Sequence, residues 1–146
     1  MRKILILTLA LIFGATHQIF ADNDKVIAVN QLPAAAQELI KTHFSNEKVA
    51  LAKVDNDIIE KTYEVVFVSG TKIEFNGNGE WKEIDCRNSK MPESLVPAAI
   101  KAKVEEIYPG NYVVGIDKDR RSFDVKISNR LELKFDSKYN LLDIDD

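Results

Sequence analysis

One chain carries nearly the same helix twice: LPAAAQELIKTHF at Leu32–Phe44 and VPAAIKAKVEEIY at Val96–Tyr108. An offset of 64 carries Leu32 to Val96, Pro33 to Pro97, Ala34 and Ala35 to Ala98 and Ala99, Ile40 to Val104, and Phe44 to Tyr108. In both copies the apolar residues return with the 3.6-residue period of a helix that is apolar on one side. Each proline stands at the start, where a helix tolerates it.

Past the helices the offset falls to 62, pairing Val54-Asp55-Asn56-Asp57 with Ile116-Asp117-Lys118-Asp119. It then settles at 60, pairing Tyr63-Glu64-Val65 with Phe123-Asp124-Val125 and Ile73-Glu74-Phe75 with Leu133-Lys134-Phe135. Such losses fall in loops, where they are tolerated. After each helix the pattern changes to period two: Tyr63, Val65 and Phe67 alternate with Glu64, Val66 and Val68, and Leu131, Leu133 and Phe135 with Glu132 and Lys134. Turn signals (DND, SGT and NGNG, then DKDRR, SN and DSKYN) separate the runs. The expected fold class is α+β: a tandem repeat of two units, each one helix followed by a four-stranded antiparallel meander, with the helix packed on its sheet. The units span residues 22–86 and 95–146, joined by a linker at 87–94, and either pack side by side or continue each other's sheet. No βαβ alternation is present, which excludes the doubly wound nucleotide-binding architecture.

The chain opens MRKILILTLALIFGATHQIFADND, with Arg2 and Lys3 ahead of an apolar run, Ile4–Phe13, too short to span a bilayer, and then small Ala21. This pattern predicts a secretory signal peptide over residues 1–21, cleaved after Ala21. No cysteine follows the run to accept lipid, so the expected product is a periplasmic or secreted protein without stable membrane insertion. The cleaved segment holds two of the 20 basic residues and none of the 23 acids, leaving a surplus of five acids over 125 residues. That balance argues against nucleic acid as a partner.

Chemistry-bearing motifs are sparse. Past the signal peptide the only histidine is His43, on the apolar stripe, and its counterpart at the offset of 64 is Ile107, which favours packing over catalysis. One His and the single Cys86 cannot build a zinc site, and Cys86 has no partner for an intramolecular disulfide. Cys86 reads as a buried small hydrophobe, with an intermolecular link and a reactive thiol as alternatives. DND at 55–57 and DKD at 117–119 lack the glycine and distal glutamate of a calcium loop and read as hairpin turns. NGNG at 76–79 precedes a strand rather than a helix, so it reads as a hairpin and not a phosphate cradle. No cofactor is expected.

The (Leu/Val)-Pro-Ala-Ala helix ending in Phe or Tyr, the strands Tyr63-Glu64-Val65-Val66-Phe67 and Ile73-Glu74-Phe75-Asn76, and the turn Asn78-Gly79-Glu80-Trp81 together resemble the PepSY-like secreted proteins. The paired units of that family are similar to the β-lactamase inhibitor fold. The resemblance implies a periplasmic or secreted binding module, in some relatives tied to inhibiting or escorting a hydrolase. It carries no catalytic residues with it.

The leading expectation is therefore a non-enzymatic module that binds another envelope or secreted protein. The alternative is a small-ligand carrier with a pocket between helices and sheets. If Leu142 and Ile144 point inward, the offset of 60 turns Lys82 and Ile84 inward and Trp81 outward, so that Trp81, Glu64, Val66, Val68 and Glu83 form a partly apolar outer sheet face. A bulge within NGNGEW would instead slip the register and bury Trp81.

Overall fold

The computed structural model describes residues 24–146; the expected signal peptide at 1–21 lies outside them. In chain order the elements are β1 Asp24–Val26, α1 Ala34–His43, β2 Val49–Asn56, β3 Lys61–Phe67, β4 Lys72–Asn76 and β5 Trp81–Asp85. They are followed by α2 Ala98–Ile107, β6 Val113–Lys118, β7 Ser122–Ile127, β8 Glu132–Asp136 and β9 Leu141–Asp145. A short 3-10 turn precedes each helix, at Val29–Gln31 and Glu93–Leu95. Pro33 and Pro97 occupy the N-cap positions, and their carbonyls accept the first helical bonds, from the N–H groups of Gln37 and Lys101.

The expected pair of units, each a helix on its own four-stranded meander, requires correction. The strands form one nine-stranded antiparallel sheet in the order β1 to β9, mostly sheet with two helices shared along it. β5 does not end a sheet. It pairs with β6 through Glu83↔Asp117, Ile84↔Ile116 and Asp85↔Gly115. The N–H of Cys86 continues the seam to the Val114 carbonyl at 2.8 Å, and that of Met91 to the Val113 carbonyl at 2.9 Å. The physical reason is that a strand edge presents unpaired N–H and C=O groups, and joining β5 to β6 hides two such edges at once. A further strand, β1, pairs with β2 at the other end.

Gly115 makes the seam fit. A Cβ there would stand 2.9 Å from the Ile84 carbonyl oxygen, on the facing backbone. In the cross-strand row Gly115 lies between Asp85 and Lys126. With no side chain between them, Lys126 Nζ reaches Asp85 Oδ2 at 3.6 Å across the intervening strand.

Both helices contribute to a single core. Ala36 and Ile40 of α1 and Ile100 and Val104 of α2 are buried in the same cluster as Val65, Phe75, Ile116 and Phe135 from four different strands. Phe44, at the end of α1, stacks on Phe67 with ring centroids 5.5 Å apart.

Candidate functional site

The side chains directed away from the core form a charged surface. Cross-strand pairing places Lys53, Glu64, Glu74, Glu83, Asp117, Asp124 and Lys134 in one row over seven adjacent strands. Five neighbouring carboxylates, Glu64 to Asp124, thus face one another, an arrangement that costs stability unless cations intervene. Lysines supply part of that compensation. Lys72 Nζ stands 3.9 Å from both Glu64 and Glu83, and Lys53 Nζ lies 3.0 Å from Asp24 and 3.5 Å from Glu64. Burial pushes the Glu74 carboxyl above its usual range; Lys82 pulls it back, and Glu83 adds to the rise. The bond to Asp24 leads the causes that raise the Lys53 ammonium.

Of the five residues of the predicted face, Trp81 is the one the structure takes away from it. Glu64 and Glu83 flank Glu74 on the bare face, and Val66 lies beside them opposite Leu51 and Lys72. Val68 is exposed just beyond β3. Trp81 lies on the opposite side. A bulge between Glu74 and Phe75 sets Trp81 opposite Phe75, whose side chain is fully buried, so Trp81 packs against the core. The outward placement of Trp81 and the inward placement of Lys82 are both corrected by this one-residue slip, which reverses the facing of what it displaces. Lys82 instead reaches Glu60 at 3.3 Å and Glu74 at 3.7 Å. The face is charged rather than partly apolar.

Over the indole of Trp81 stands the Lys118 ammonium, 3.3 Å from the ring centroid. Desolvation lowers the Lys118 pKa, with Glu80 opposing. A cation over an aromatic face is drawn by the ring quadrupole, which ties the start of β5 to the end of β6.

The sparse chemistry-bearing residues have structural surroundings. Cys86 is buried, and desolvation, aided by Glu47 and Asp85, pushes its thiol up to about 11, away from the reactive thiolate. His43 Nδ1 lies 3.0 Å from Ser94 Oγ, joining the end of α1 to the second 3-10 turn. Asp57 Oδ1 accepts the Ile58 N–H at 2.7 Å and Asp119 Oδ1 the Arg120 N–H at 2.6 Å, both within hairpin turns. Among the described residues no group of three or more His, Cys, Asp or Glu side chains is set to hold a metal ion. A cavity of about 380 Å³ opens between α2, the second 3-10 turn and the start of β6, with Met91, Val104 and Val113 in its lining and Glu93 between Lys90 and Lys101 at its edge.

One feature escaped the sequence reading. At the tip of the β2–β3 hairpin Ile58 and Ile59 are 98% and 94% exposed, the two most exposed large hydrophobic residues among those described. The offset of 62 carried the signal, because it sets Ile58-Ile59 against Arg120-Arg121. An apolar pair within a turn that is charged in its counterpart is not explained by turn chemistry.

Two helices on one side of a single antiparallel sheet, with a bare charged face on the other and a projecting apolar hairpin, define a small two-layer helix-and-sheet class of fold. The family model described as "Putative beta-lactamase-inhibitor-like, PepSY-like" matches residues 19–60 and 61–143, and the chain belongs to this PepSY-like family. The chain is similar to a solved "putative calcium-regulated periplasmic protein" from Bacteroides thetaiotaomicron, at 50% identity and a TM-score of 0.83, covering 87% of this chain and 100% of that one. A "putative periplasmic protein" of the DUF2874 family from Bacteroides vulgatus shows 46% identity and a TM-score of 0.83, with the same coverages. A second B. vulgatus protein, described as periplasmic and of unknown function, shows 38% identity and a TM-score of 0.79, covering 84% and 99%. A search of curated proteins found no match. The descriptions of these relatives support a periplasmic location.

Proposed function

We propose that this chain is a non-enzymatic protein-binding module of the bacterial envelope, and that the β2–β3 hairpin tip is the element it inserts into its partner. The observation carrying this reading is the near-complete exposure of Ile58 and Ile59 on a hairpin anchored by the full β2–β3 ladder. Two adjacent aliphatic side chains in water forfeit the free energy that burial would supply, about 1.5–3 kcal/mol each. Placed in a partner's pocket they recover it, and a rigid hairpin loses little conformational freedom on docking. Inhibition of an envelope hydrolase is the form of binding in keeping with a family described as β-lactamase-inhibitor-like.

The test is a pull-down from envelope extract with residues 22–146 as bait, comparing wild type with the Ile58→Ser/Ile59→Ser double variant. Both side chains are solvated, so the variant should melt within about 1 °C of wild type. The expected result is a protein captured by wild type and lost with the variant. Equal capture by both, or none by either, removes the tip as the binding element.

A second reading is favoured by the name of the B. thetaiotaomicron relative together with the row of facing carboxylates: calcium acts on this chain by relieving their repulsion. No enclosing ligand set stands behind it, so the expected response is weak, with half-effect near about 1 mM. Calcium chloride should raise the melting temperature of purified protein above that in sodium chloride of equal ionic strength, and Glu83→Gln/Asp117→Asn should abolish the difference. Identical curves in the two salts dismiss this reading.

A further inference from the structure

The charges around the hairpin tip specify what kind of socket it enters. We infer that the partner is a protein whose apolar pocket is rimmed by carboxylates; this rests on the tip being the binding element and adds the chemistry of what receives it.

Ile59 does not stand alone at its end of the sheet. It lines a cleft of about 440 Å³ with Glu60, Lys82, Lys118, Asp119 and Arg120, so the β6–β7 turn lies beside the β2–β3 tip. Segment Lys118–Arg121 carries three cations and one acid in a chain whose acids outnumber its bases. Lys82 holds Glu60 at 3.3 Å, while the carboxylates of Asp57 and Asp119 turn back to accept backbone N–H groups. Lys118 is drawn onto Trp81.

Arg120 and Arg121 are left exposed, and neither makes an ion pair among the described residues. A guanidinium offers paired donors that match a carboxylate, so Arg120 beside the apolar knob, with Arg121 next to it in the turn, fits an acidic rim around an apolar floor. The bare face reinforces the choice. Its five facing carboxylates repel an acidic partner and leave the hairpin end as the side such a partner can approach.

The experiment places a photo-crosslinking benzoylphenylalanine at position 58 of the full chain in living cells, with position 138 on the exposed β8–β9 turn as control. The adduct is mapped by mass spectrometry. The partner so identified is purified and titrated with wild type, Ile58→Ser/Ile59→Ser and Arg120→Glu/Arg121→Glu, each first shown to melt as wild type does. The expected result is an adduct from position 58 only, mapped to apolar residues flanked by Asp or Glu. Affinity should fall at least about tenfold on arginine reversal, and wild-type binding should weaken severalfold between about 50 and about 300 mM salt.

A partner lost with the isoleucine variant but unaffected by arginine reversal overturns the acidic rim and leaves the tip standing. Adducts to lipid alone, to a second copy of this chain alone, or none at position 58, overturn both.

Discussion

Gly115→Ala is expected to destabilise the protein by about 3 kcal/mol, read as a lower urea midpoint. The added Cβ would sit 2.9 Å from the Ile84 carbonyl oxygen, and the atom it meets is backbone, fixed by the pairs on either side of it. A flexible side chain could swing aside; a strand carbonyl can move only by taking its ladder with it. The same methyl group enters the row between Asp85 and Lys126, where the 3.6 Å ion pair crosses open space. Against a typical total of about 5–15 kcal/mol, the loss is large for one methyl group. An effect below about 1 kcal/mol would mean that β5 and β6 separate slightly at little cost.

Trp81→Ala should lower stability by about 2 kcal/mol and leave binding through the hairpin tip unchanged once folding is restored by lower temperature. The indole packs against the core opposite Phe75, and its outer side carries Lys118. Truncation opens a void beside the sheet and removes the surface over which a partly desolvated ammonium is held. The value lies below that for a fully buried tryptophan because this one is partly exposed. Urea unfolding of the variant checks it. A loss smaller than about 0.5 kcal/mol would return Trp81 to the solvent side and take the bulge with it.

These substitutions also mark where the sequence was legible. Periodicity placed α1 and α2 to within two residues at either end, because Ala36 and Ile40, like Ile100 and Val104, repeat at the spacing that one buried stripe requires. Alternation located β3 through Tyr63, Val65 and Phe67, all buried. Which strand lies beside which is another matter. Alternation tells a residue its face and never its neighbour, so nothing in β5 or β6 announced that they pair.

The facing of Trp81 turned on a single extra residue at Lys82, and a period-two pattern is blind to an insertion that small. The bare face was misjudged for the same reason. With Trp81 subtracted, what remains of it is dominated by Glu, Asp and Lys. Ile58 and Ile59 were visible as letters, yet a two-residue apolar run inside a turn has no period to read.

The β5–β6 seam also decides how the molecule can move. A chain of this length with two helices could have been jointed in the middle, its halves closing on a partner as jaws do. Here the connecting segment is sewn down at Met91, almost wholly buried, and the ladder passes through without interruption. No hinge remains at the centre. A partner docking as proposed would meet a plate already set in its shape, so that recognition would come from fit rather than from closure.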